Sequence, residues 1–240
     1  MLTAQQEQRI ARLTGLAYLA IFALAIAANF GVVGAIAGAG SPLDTLHEIA
    51  AREQAFRLAI AAFFLVLMAD LLISWGLFAL FERAACQLTR FTVLFRVAYT
   101  IGHIAVVLHL VAALRIATGL SALDAFSEAE RAGLVQDHLL AHSSGFTMTL
   151  LFFGVHLIAL GTLIWRTGRM PKAVGVLTAI AGLGYIVDGF LWLVAPELRR
   201  AIPGGGLFVV ILPALIGEGA LMIWLLIFGV KDSASQTLIE

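Results

Sequence analysis

The chain has 240 residues, zero formal net charge, 61% hydrophobic residues and only 12% charged ones. Soluble proteins carry about 25% charged residues, so this composition excludes an ordinary soluble domain, which could not cover its surface. The balanced charge gives no electrostatic case for a nucleic-acid partner, and a mean hydropathy of +1.00 points to a polytopic membrane protein.

A membrane-crossing helix needs roughly 20 mostly apolar residues. Six stretches qualify, at 13–38, 55–81, 91–117, 143–165, 172–194 and 207–230. None alternates with the period of two that a barrel strand requires. The expected fold is therefore all-α: one domain over 1–240, a bundle of six transmembrane helices. The opening segment MLTAQQEQRIARLTG is too polar and too long for a typical leader. The run after it exceeds a signal-peptide core of about 7–15 residues, so it is expected to remain as a mature helix. GAGSPLD, 38–44, reads as a turn with Ser41 or Asp44 as a helix N-cap. In the longest connection, 118–142, Ser127 and Glu130 have capping-box spacing. That spacing predicts a short interfacial helix between the third and fourth spans. RTGRMPK, 166–172, is a short basic turn with Pro171 placed to open the next helix. APELRRAIPGGG, 195–206, ends the fifth span and leads into the last. There is no convincing internal repeat. The single Cys86 cannot form an internal disulfide.

Lysine and arginine near helix ends set orientation. Arg9, Arg12, Arg83, Arg90, Arg166, Arg169, Lys172 and Lys231 fall on the side of both termini. Arg52, Arg57, Arg115, Arg131, Arg199 and Arg200 fall on the other, with most of the acids. The bias places both termini in the cytoplasm.

Ionisable residues inside spans usually face the bundle interior and raise a functional hypothesis. Seven occur: Asp70, Arg96, His103, His109, His156, Asp188 and Glu218. Counted from the cytoplasmic helix ends, Asp70, His103, His156 and Glu218 lie about 13–18 Å deep, and Arg96 about 8 Å deep. Arg96, Tyr99 and His103 share a stripe, as do Tyr185, Asp188 and Trp192. His138, His142, Thr149 and His156 share another if the fourth helix continues back through Ser143. Pro213, Gly217 and Gly219 loosen the helix around Glu218.

Each feature also has a plainer reading. Asp70 and Arg96 can be a structural ion pair, and His109 can simply reach the interface. His138 and His142 have metal-clamping i,i+4 spacing, which near a membrane surface is more often incidental. His103 and His156 could hold a haem axially, or join Glu218 around zinc with Asp70 nearby. Hydrogen-bonded helix packing competes with both. Gly175, Ala179 and Gly182 have small-residue spacing suited to helix packing.

Several stretches carry a family resemblance: RLTGLAYLAIF (12–22), FRLAIAAFFLVLMADLLISWGLFALF (56–81), LFRVAYTI (94–101), LFFGVHLIALGTLIWRTGRMPKAVGVLTAIAGLGYIVDGF (151–190) and GEGALMIWLLIFGV (217–230). With these the chain resembles the bacterial integral membrane family known as domain of unknown function 4386. The resemblance covers nearly the whole chain and is most specific over 151–190. It implies a six-helix membrane fold and no known activity. It marks Arg57, Asp70, Arg96, His156, Asp188 and Glu218, and does not extend to His103, His109, His138 and His142.

The leading expectation is a polar intramembrane pocket lined by His156, Glu218, Asp70, Arg96, His103, Tyr99, Asp188 and Tyr185. It would bind a small or lipid-like hydrophobic ligand or relay protons, as in a transporter or receptor. One alternative is an intramembrane metal-dependent hydrolase or haem-binding oxidoreductase, with His103, His156 and Glu218 as candidate ligands. No HExxH or GxSxG motif accompanies it. The other alternative is a structural membrane module. The lipid bilayer is the expected partner, and the sequence does not specify an oligomeric state.

Overall fold

The computed structural model describes residues 2–38, 40–120, 123, 125–204 and 206–231. Parts of the three expected loops (39, 121, 122, 124 and 205) lie outside the described residues, as does the C-terminal end, 232–240. The described chain is helical, without strands, and six helices are long and apolar enough to cross a membrane.

Helix α1 (Ala4–Ala28) begins earlier than expected and runs on through a π-helical turn, Asn29–Val33, into Gly34–Ala37. There the Gly34 N–H reaches back five residues to the Asn29 carbonyl. Helix α2 (Pro42–Ala51) was expected only as a turn with a cap. Ser41 supplies that cap and closes a full capping box with Asp44. Its hydrogen bonds hold the exposed Asp44 carboxyl below the ordinary carboxylate range. Helix α3 (Glu53–Phe81) opens with an i,i+4 pair, Glu53–Arg57, at 2.7 Å. Helix α4 (Cys86–Ala117) follows after a short turn.

Helix α5 (Glu128–Thr167) corrects the sequence reading. The predicted capping box is present, with Ser127 N–H donating to Glu130 at 2.7 Å. It opens a continuous 40-residue helix, not a separate interfacial one. Nothing between 128 and 143 breaks a helix: there is no proline, and the Ser144 hydroxyl bonds back to the Leu140 carbonyl within the helix. Forty residues rise about 60 Å, twice the bilayer core, so the charged first turns extend past the hydrocarbon. Helix α6 (Lys172–Val194) follows Pro171, and α7 (Pro196–Ala201) is one short turn beyond it. A π-helical segment, Gly206–Ile211, leads into α8 (Leu212–Ile227). Pro213 has no N–H for the carbonyl four residues back, and a widened turn accommodates that loss.

The helices form two compact units, taken from the described parts of 1–19, 70–100 and 147–240 and of 20–69 and 101–146. In the first unit, α5 and α6 pack closely through glycines. A Cβ on Gly154 would sit 2.6 Å from the Gly182 carbonyl oxygen, and one on Gly175 would sit 2.7 Å from that of Gly161. Gly154 thus faces Gly182 and Gly161 faces Gly175, so the two helices run antiparallel. The predicted small residues of α6 serve this approach, and van der Waals contact of this kind drives helix association in lipid. Gly76 of α3 likewise makes room for Thr14 of α1.

The core of the second unit joins Val33, Ile36, Leu46, Ile49, Phe56, Ile60 and Phe63 to Val107, Leu110, Leu114, Val135 and Leu139. Its capped α2 contributes Thr45, Leu46 and Ile49 as buried residues.

Candidate functional site

The first unit gathers the candidate site. Arg96 projects from α4 with 1% of its surface exposed. Its guanidinium meets side chains from three other helices. Nη2 donates to Oδ1 of Asp70 on α3, itself 2% exposed. Nη1 donates to the Tyr18 hydroxyl of α1 at 3.0 Å and lies 3.1 Å from Nε2 of His156 on α5. The carbon of the same group sits 5.0 Å from the Tyr18 ring centroid and 5.2 Å from that of Phe153, within cation–π range. Nε of Arg96 is buried and has no hydrogen-bond partner.

This geometry fixes the His156 tautomer. A guanidinium has only donors, so Nε2 of His156 must accept. The other ring nitrogen, Nδ1, lies 2.9 Å from the Thr92 carbonyl oxygen, which only accepts, so Nδ1 carries the hydrogen. Both ring nitrogens are therefore in use.

Glu218 of α8 accepts from the Tyr185 hydroxyl of α6 at 2.8 Å. Its charge lies within electrostatic reach of Arg96 and Asp70. Phe153 connects the two halves of the cluster. Its ring is 4.8 Å from that of Tyr99, 5.7 Å from Tyr185 and 5.4 Å from His156.

The remaining predicted residues lie elsewhere. Asp188 pairs with Arg199 of α7 through two bonds, 2.7 and 3.0 Å. The hydrogen bond to Asp188 pushes the Arg199 guanidinium above its ordinary value. His103 belongs to the second unit and stacks edge-on against Phe146 with ring centroids 5.0 Å apart. Also in that unit, His109 and His138 face each other through their Nδ1 atoms at 3.0 Å, so His109 has a protein partner. His142 packs edge-on against Phe63 at 5.6 Å. The i,i+4 histidines 138 and 142 thus make separate contacts. Among the described residues, no group of three His, Cys, Asp or Glu side chains is placed to hold a metal ion.

Sequence reasoning missed three participants. Tyr18 sits in an apolar run, and nothing in the sequence marks its hydroxyl as a partner for Arg96. Arg199 lies beyond the end of α6, and α7 carries it to Asp188. The third miss is a second buried ion pair. Arg169, in the turn after α5, donates to Glu7 of α1 at 2.5 Å. It also donates to the Leu80 carbonyl at the end of α3 and to the Lys231 carbonyl at 3.2 Å. Gly229, with φ +70°, turns the chain after α8 so that the Val230 carbonyl can also accept from Gln8 at 2.5 Å.

Six apolar helices, with an ion-paired cluster buried within one packed unit, define a multi-pass membrane protein. The chain belongs to the family described as Domain of unknown function (DUF4386), whose family model matches residues 13–229. It is also similar to an uncharacterized protein of Archaeoglobus fulgidus, with 37% identity over 95 residues. That match covers 40% of this chain and 52% of the other, so the chain spans about half the length of that curated relative. No solved structure matches.

Proposed function

We propose that this is a bacterial inner-membrane protein whose Arg96 cluster binds a small or lipid-like ligand, in the manner of a transporter or receptor. One observation carries the reading: a fully buried guanidinium, fixed by Asp70, Tyr18 and His156, leaves its Nε–H without a partner. Leaving a buried donor unmade costs about 1–3 kcal/mol, and a ligand acceptor would recover that. Thermal unfolding of the solubilised chain with a series of medium-chain fatty acids and fatty alcohols tests it. A binder at a hundred times its Kd stabilises by about 2.7 kcal/mol. That stabilisation is expected in the native chain and lost in His156→Ala and Glu218→Gln, both still inserting into membranes. An unchanged response in both variants removes the reading.

The competing structural reading is supported by the Asp70–Arg96 pair itself, which can fix helix register with no ligand. It expects Asp70 and Arg96 variants to change stability alone.

Lysines and arginines near the helix ends support cytoplasmic termini: six lie on the opposite side and eight on the side of the termini. Cys86, at the start of α4 on that side, should resist a membrane-impermeant maleimide in intact cells and react in inverted vesicles. Labelling in intact cells would reverse the assignment.

A further inference from the structure

Four carboxylates are buried in the described chain: Glu7, Asp70, Asp188 and Glu218. Arginines match three of them, as Glu7–Arg169, Asp70–Arg96 and Asp188–Arg199. Among the described residues, Glu218 has no ion pair, and its hydrogen-bond partner is the neutral hydroxyl of Tyr185. The charged and titratable groups around it come from four helices. They are Tyr185 on α6, Arg96 and Tyr99 on α4, Asp70 on α3 and Tyr18 on α1. Arg96 is the one cation among them, and Asp70 already neutralises it. An ionised Glu218 would leave the cluster with one uncompensated negative charge. In a low-dielectric interior such a carboxylate is neutralised sooner than tolerated.

We propose that Glu218 is a proton-binding site, taking one proton from water so that the whole cluster is electrically neutral. A proton satisfies the charge without needing a cavity. In this state the cluster has two donors to offer: the Glu218 hydroxyl and the partnerless Nε–H of Arg96. If the ligand reading above holds, the fitting ligand presents acceptors, such as carbonyl or ether oxygens of a lipid. A cationic ligand would have to displace the proton.

Infrared absorption of the full chain reconstituted in vesicles at neutral pH tests the proton site without any ligand, so its outcome is separate from that of the ligand assay. A protonated-carboxyl C=O band that shifts in deuterium oxide is expected in the native chain. It should be lost in Glu218→Gln, which keeps the acceptor for Tyr185, and retained in Asp188→Asn. Tyr185→Phe should keep the band and move it to higher wavenumber, because the carbonyl loses its hydrogen bond. A native spectrum without the band, a band that survives Glu218→Gln, or one that Tyr185→Phe leaves unmoved overturns the proposal.

Discussion

Two arginines of the first unit, Arg96 and Arg169, are equally buried and equally paired with a carboxylate, yet they are built differently. Arg169 spends its remaining donors on backbone carbonyls, those of Leu80 and Lys231. Those carbonyls belong to any sequence with this fold, so Arg169 fastens a helix end, a turn and the chain's last described segment together. Arg96 instead meets the side chains of Asp70, Tyr18 and His156 and leaves its Nε–H unmatched. Side-chain partners can be exchanged by rotation or replaced by a ligand, whereas carbonyls cannot. Burial and ion pairing alone therefore do not separate a clamp from a site, and the nature of the partners does.

Removing one partner of a buried pair costs about 3–5 kcal/mol. Arg169→Ala should reach or exceed that range in denaturant unfolding, because it orphans Glu7 and two carbonyls together. The contrast with Arg96 appears in double variants. Asp70→Leu with Arg96→Leu should recover most of the loss seen in Arg96→Leu alone, since apolar replacement of a buried pair is often close to neutral. Glu7→Leu with Arg169→Leu should recover little, because the carbonyls remain unmet. Equal recovery in the two double variants would erase the distinction.

A smaller effect separates the two clusters mechanically. Gly182→Ala pushes a methyl to within 2.5 Å of the Gly154 carbonyl oxygen. Overpacking of this kind costs about 1–3 kcal/mol. It should displace α5 and with it His156, raising hydrogen exchange around the Arg96 cluster more than around Arg169.

The smallest expected change is a control in the second unit. Hydrogen bonds from Ser41 hold Asp44 below the ordinary carboxylate range. Its stabilisation of α2 is therefore complete above that range and disappears as pH falls through the lowered value. Hydrogen exchange should show 42–51 loosening in acid, and Ser41→Ala should remove this dependence. Neither arginine cluster should respond to the substitution.

The six spans were legible because roughly 20 apolar residues leave few other readings. The Asp70–Arg96 pair was legible because depth along a helix follows from residue count. Depth says nothing about azimuth, which is why His103 matched His156 in level and yet falls in a different compact unit. The Glu7–Arg169 pair joins residues 162 apart in sequence, and no local pattern marks such a meeting. The extent of α5 was obscured because Ser143 and Ser144 resemble a helix start, while the operative cap was Ser127. Tyr18 and Arg199 entered only when packing brought a hydroxyl and a guanidinium to groups already identified.

The single tautomer of His156 makes that ring a built-in gauge. One of its nitrogens is protonated and the other bare, and nitrogen-15 resonance separates the two by a wide margin. Whatever draws Arg96 away, whether a ligand, a proton or a helix shift, must release the bare nitrogen and move its signal. The nitrogen-15-labelled protein therefore carries an isotopic readout of a fully buried charge, needing no substitution.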